Sequence, residues 1–162
     1  MATLSSTEWR PEAVTGLARP ESATLPKALL YATSSGLGGT GLNTTSLEGV
    51  TASVEGEFLR RVLFFENDQK RVPQRLLKSL NWHPVRLLSH LESQRYYGAK
   101  KRYLSWMAGR ALRRGGHDCF HGWAGDCFRA LIEARRLGIP SVIDIPTWHR
   151  NKGKLKARAV GQ

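Results

Sequence analysis

Residues 115–154 read GGHDCFHGWAGDCFRALIEARRLGIPSVIDIPTWHRNKGK, and the fold is decided here. The stretch divides into a strand, a break at Gly125-Asp126, an amphipathic helix, a Gly-Ile-Pro turn at residues 138–140 and a second apolar strand. Each strand is expected to run into a histidine-bearing loop, with His121 after the first and His149 after the second. Open α/β sheets bind ligands beyond the carboxyl ends of their parallel strands, so both histidines fall where such a fold carries its chemistry.

The same alternation extends toward the N-terminus. KALLYATS, from Lys27 to Ser34, suits a buried first strand. It runs into a loop containing Gly36, Gly38, Gly39 and Gly41, and Asn43, Thr44 and Thr45 offer N-caps for a short helix ending near Gly56. Val62 to Phe65 form the centre of a second strand. Pro73 suits the first turn of a helix over residues 73–80, PQRLLKSL. Val85 to Leu91 reads as a short third strand, and Gln94 to Arg114 as a long helix stopped by Gly115-Gly116. Strands and helices in this order predict an α/β fold: a Rossmann-like parallel sheet with right-handed crossovers and helices on both faces. Residues 1–25 lack periodicity and are expected to be a disordered tail, residues 26–154 the domain, and residues 155–162 a basic C-terminal tail.

A chain of 162 residues and 18.1 kDa, 41% apolar, is sufficient for one domain with a core of its own. Cys119 and Cys127 are too few for a disulfide framework and lack metal-ligand spacing, so they are expected to be reduced packing thiols. No Ser-His-Asp order, HExxH or CxxC occurs, which argues against a hydrolase triad and against structural zinc; no metal is expected. No run approaches the ~20 apolar residues of a membrane span, and no signal pattern opens the chain. The expected location is the cytoplasm, with peripheral contact at the inner face of the membrane.

The net charge of +12 is concentrated. Between Lys70 and Arg114 stand twelve Lys or Arg against one acid, Glu92. Such a field attracts polyanions: anionic lipid, phosphorylated substrate or nucleic acid. On the long helix, Tyr97, Leu104, Ala108 and Ala111 share one face, with Tyr103 and Met107 at its margin, and form the expected core stripe. Arg95, Arg102, Trp106 and Arg113 line the opposite face. A tryptophan among arginines suits an anionic membrane interface or a base-stacking surface.

Two loops are candidates for chemistry. The sequence GLGGTG, Gly36 to Gly41, lies between a strand and a helix, where glycines let backbone approach a phosphate and the helix N-terminus supplies N–H donors. Its spacing is near the dinucleotide fingerprint without matching it, and Glu66 stands where the accompanying acid is expected. The imidazole of His121, followed by the small-residue run Gly122 to Asp126, can orient a sugar hydroxyl or titrate near neutrality, and Asp126 is expected to cap the next helix. His149 lies beside Arg150 and Lys152 in a basic loop suited to an anion or a sugar.

Taken together, these pieces resemble the N-terminal, acceptor-side domain of the family 4 glycosyltransferases, the retaining GT-B enzymes. The resemblance rests on the glycine loop after the first strand, on Trp82 to Pro84 followed by the basic helix YYGAKKRYL, on HDCFHGWAGD, and on GIPSVIDIPTWHRNKGK. It spans roughly residues 27–154 and is most specific over 117–152. It implies that Gly38, Gly39 and Gly41 lie near the donor diphosphate, that His121 lies near the reacting sugar as the catalytic candidate, and that His149, Arg150 and Lys152 add to the pocket. It implies a nucleotide-sugar donor, a lipid-linked or polysaccharide acceptor, and a partner Rossmann domain bearing a Glu-x7-Glu motif. Many members carry a second histidine two residues after the first; here that position is Trp123. Compared with the family, the chain holds about half of an enzyme and stops short of the last strand-helix unit of the N-terminal half. The alternatives are a non-catalytic nucleotide- or phosphate-binding α/β domain and a nucleic-acid-binding module, the latter without any recognised signature.

Overall fold

A computed structural model describes residues 25–81 and 92–145. The expected tails, apart from Leu25, lie outside the described residues. So do Trp82 to Pro84, the strand expected over Val85 to Leu91, and His149, Arg150 and Lys152.

Among the described residues five strands form one parallel sheet: β1 (Leu29–Ala32), β2 (Leu59–Phe64), β3 (Leu77–Ser79), β4 (Cys119–Trp123) and β5 (Ser141–Asp144), in the order β3-β2-β1-β4-β5. The helices are α1 (Leu42–Glu55), α2 (Ser93–Arg113) and α3 (Phe128–Arg136). This is the α/β, Rossmann-like architecture that the alternation predicts, with helices on both faces.

Strand periodicity assigns the two faces. Leu30, Ala32, Leu63 and Phe120 meet Leu104, Ala108 and Leu112 of α2 and Ala130 and Ala134 of α3 in one buried cluster. Their alternates Leu29, Tyr31, Val62, Phe64, Cys119 and Trp123 pack on the other face with Val50 of α1. Gly122 sits among the first set because a Cβ there would come within 3.1 Å of Cys127 Cβ and Sγ, at the start of α3. The absent side chain lets α3 approach β4.

Several local expectations are corrected. Residues 73–80 form a single 3-10 turn, Gln74–Leu76, and then the edge strand β3 rather than a helix. The free edge of β2 offers a ladder over Val62 to Phe64, and pairing with it outweighs local helix propensity. The stripe of α2 is rotated from the predicted one. Tyr97 is 56% exposed, while Lys100, Ser105 and Gly109 are buried along with Leu104, Ala108 and Leu112. The helix packs on two neighbours at once, the sheet beneath and α3 beside it, so its buried arc is wider than a one-sided stripe. Asn43, Thr44 and Thr45 do not cap α1. The cap is Gly41, without a side-chain bond. Asp126 does not cap α3, whose N-cap is Cys127.

Candidate functional site at the strand switch point

The chain runs from β1 outward to β2 and β3, then crosses back to β4 on the other side of β1. The loops leaving β1 and β4 therefore diverge toward opposite faces, opening a crevice at the carboxyl ends of two adjacent strands. In doubly wound sheets this is where ligands bind.

The glycine loop forms one wall. Its first half is tied to the end of β2: Leu37 N–H donates to Glu66 O at 2.8 Å and Asp68 N–H donates to Leu37 O at 2.8 Å. Gly38 is buried at φ 93°, and a Cβ there would come within 3.1 Å of Asp68 backbone and Gln69 Cβ. Its role is packing. Gly39, Thr40 and Gly41 are exposed and turn into α1, so the expected phosphate approach falls to Gly39 and Gly41. Asn43 and Thr44 brace this turn, Asn43 Oδ1 accepting Gly36 N–H at 3.0 Å and Thr44 Oγ1 donating to Gly39 O at 2.8 Å. Glu66, placed after β2 as expected, lies 3.5 Å from the Lys100 Nζ. Lys100 is 5% exposed, and its ammonium sits 4.6 Å from the Phe65 ring centroid.

Asp126 joins the walls of the crevice. It is 5% exposed, with Oδ2 accepting Ser34 N–H at 3.2 Å and Oδ1 paired with Lys101 Nζ at 2.9 Å. One carboxylate thus links the loop after β1, the loop after β4 and α2.

His121 lies inside β4, opposite Tyr31 of β1, and not in the loop expected after the strand. It projects from the face carrying α1, on the same parity as Cys119 and Trp123. Its Nε2 is 2.8 Å from Asp144 Oδ2 on β5. In the neutral imidazole, donation of Nε2–H to the carboxylate leaves the lone pair on Nδ1. The Tyr31 ring stands edge-on to the imidazole at 4.6 Å between centroids, and Tyr31 Oη accepts Trp123 Nε1–H at 2.9 Å. Burial pushes the Tyr31 phenol up to about 12, so it stays neutral. Asp144 is half exposed, and Val142, which shares its face of β5, is exposed as well, so this part of the sheet is open beyond α1. The arrangement is a carboxylate-oriented imidazole whose free nitrogen can accept a hydroxyl proton.

Both cysteines are free and buried, as packing thiols are. Burial raises the Cys119 thiol and pushes Cys127 up to about 12, so neither is a thiolate nucleophile at neutral pH.

The basic face of α2 is exposed at Arg95, Arg102, Trp106 and Arg113. Trp106, 42% exposed, stacks on Tyr103 at 6.0 Å, and Arg110 lies 5.7 Å from its ring centroid. Arg113 is paired with Glu133 of α3 at 3.0 Å and Arg95 with Glu92 at 3.7 Å. Arg102 has no acidic partner among the described residues.

The functional partners missed in the sequence are Asp144, Tyr31 and Lys101. Asp144 was detectable, since it is the lone acid of an apolar strand next to a strand carrying a histidine. Tyr31 and Lys101 gave no local signal, because their roles depend on cross-strand register and on helix rotation.

No protein-family model and no curated protein matches the chain. Two crystal structures of the C-terminal domain of a hydrogenase from Pyrococcus furiosus are similar in structure. One has a TM-score of 0.47 and 9% identity, the other 0.43 and 11%, each covering 74% of this chain and 91% of the other. At these values the likeness says nothing of this chain's chemistry. Among the described residues no helix is long and apolar enough to cross a membrane.

Proposed function

We propose that the chain is the N-terminal, acceptor-side part of a retaining glycosyltransferase that moves a sugar from a nucleotide-diphosphate donor to a lipid-linked or polysaccharide acceptor. The observation that carries this reading is a pair of features on adjacent strands, the open Gly39–Gly41 turn that follows β1 and the Asp144-oriented His121 of β4. The turn and the N-terminus of α1 suit the donor diphosphate. The free Nδ1 of His121 suits a hydroxyl of the reacting sugar. The partners are a donor-binding Rossmann domain and an anionic membrane surface on the cytoplasmic side, met by Arg95, Arg102 and Trp106. No cofactor beyond the donor substrate is invoked.

A second reading, a non-catalytic phosphate-binding α/β domain, is favoured by one observation. His121 lies within a strand with Nε2 already committed to Asp144.

Sugar transfer separates the two. The full-length protein is expressed and incubated with radiolabelled UDP-, GDP- and ADP-hexoses and with lipid and polysaccharide extracts. Transfer is expected to fall about a hundredfold in His121→Ala. No transfer from any donor, or wild-type transfer by His121→Ala, would refute the catalytic reading.

A further inference from the structure

We infer that the corner where α2 meets the first turn of α3 is a phosphate-binding site, separate from the glycine turn, with Lys101, Arg102 and Arg129 as its cations. Two adjoining recesses, of about 690 and 190 Å³, share Lys101, Arg102 and Gly125. The larger continues past Gly98 and Ala99, and the smaller past Ser105 and Arg129.

The charges of this corner are unbalanced. Among the described residues Asp126 is the one acid lining either recess, and both of its oxygens are engaged, by Lys101 Nζ and by Ser34 N–H. Lys101 spends one of its three donors there and keeps two. Neither Arg102 nor Arg129 has an acidic partner among the described residues. The first turn of α3 adds to the field, holding no acid and no side-chain cap from Cys127. Ser105 Oγ accepts the Ala130 N–H at 3.2 Å, and among the described residues the Phe128 and Arg129 N–H groups have no acceptor.

Two guanidinium forks, an ammonium and a helix N-terminus around a recess walled by glycine and alanine suit a tetrahedral dianion. The larger recess exceeds a phosphate in size, and Phe128, 73% exposed, offers apolar contact to whatever the phosphate is attached to. The shared ligand chemistry is a phosphate ester, borne by a soluble molecule or by a lipid headgroup. The corner lies on the α2/α3 face, whereas His121 and Asp144 project from the opposite one, so this site stands whether or not the chain transfers sugars.

The test compares wild type with Arg102→Ala/Arg129→Ala and with Arg71→Ala/Lys78→Ala, which removes equal charge from exposed positions elsewhere. In one arm, amide NMR follows inorganic pyrophosphate at residues 125, 128 and 129, while Gly39 and Gly41 report the glycine turn separately. In the other, the three proteins are sedimented with phosphatidylglycerol vesicles. We expect saturable shifts at the corner in wild type and control, with Kd raised about tenfold or more in the Arg102/Arg129 variant. Unmoved amides with vesicle binding lost only in that variant would identify the ligand as a lipid phosphate at the same site. Equal weakening of both ligands by both variants, or by neither, would overturn the site.

Discussion

His121 takes its orientation from Asp144, one strand away. With Nε2–H donated to the carboxylate at 2.8 Å, the imidazole presents Nδ1 as its only lone pair. The pairing is diagonal: His121 is in register with Val142, and Asp144 with Trp123. In the sequence, His121 could be placed near a strand end, but its tautomer could not be known without the register of β4 on β5. Removing the acceptor should show in the ring itself. In the neutral ring, long-range nitrogen–proton spectra are expected to show His121 as the Nε2–H tautomer. In Asp144→Ala they should show a mixture of tautomers. Identical ring spectra in the two proteins would mean that Asp144 does not orient His121.

At the scale of elements, the glycine loop is two devices in series. Gly36 to Gly38 lace the end of β1 to the end of β2, and Gly39 to Gly41 turn outward into α1. The sequence displayed the glycines without dividing them, because the division depends on Asp68 and Gln69 packing over Gly38. Gly38→Ala must accept both a positive φ and a Cβ within 3.1 Å of backbone, whereas at Gly41 a Cβ would meet nothing within 4 Å. Gly41, at φ 62° and ψ −128°, lies outside the left-handed helical well in a region open essentially to glycine, so Gly41→Ala is expected to cost about 1–3 kcal/mol, and Gly38→Ala more than that. Urea unfolding of the two variants checks the order; equal losses would show that Gly38 is not held by its packing. In the 115–145 unit the order of strand, helix and strand was legible, α3 and β5 matching the periodicity, because helix, turn and strand signals agree there, although His121 lies within β4 and Asp126 does not cap α3. The 73–80 segment was not. Three residues of edge strand leave no periodic signature, and the partner that recruits them, β2, lies more than ten residues upstream.

For the whole molecule, the charge distribution and the switch point are the dominant facts. Acid stability reports on the first of these where β1 meets the start of β4. Burial lowers the pKa of His117 from its ordinary value, with the positive charges of Arg60 and Arg61 adding to the effect. Asp118 is lowered chiefly by accepting the Lys27 N–H, and also that of Ala28. Below the ordinary histidine value of about 6.5, the unfolded chain binds a proton that folded His117 resists. Stability is thus lost as pH falls through that value toward the lowered one. The Asp118 contribution is present above the ordinary carboxylate range and is lost in turn as pH falls through its own lowered value. The unfolding free energy is expected to decline from pH 7.5 to 5.5, and less so in His117→Asn; a flat profile, or the same slope in both proteins, would contradict this. The switch point was implicit in the alternation of strands and helices, yet its two walls became visible only with the strand order. The most direct measurement of the account is an amide and imidazole NMR titration of the protein with a nucleotide-diphosphate sugar. Saturable shifts at Gly39, Gly41 and the His121 ring, with Gly49 in the body of α1 unmoved, are predicted. Shifts confined to other surfaces, or none at millimolar ligand, would contradict a ligand site between β1 and β4.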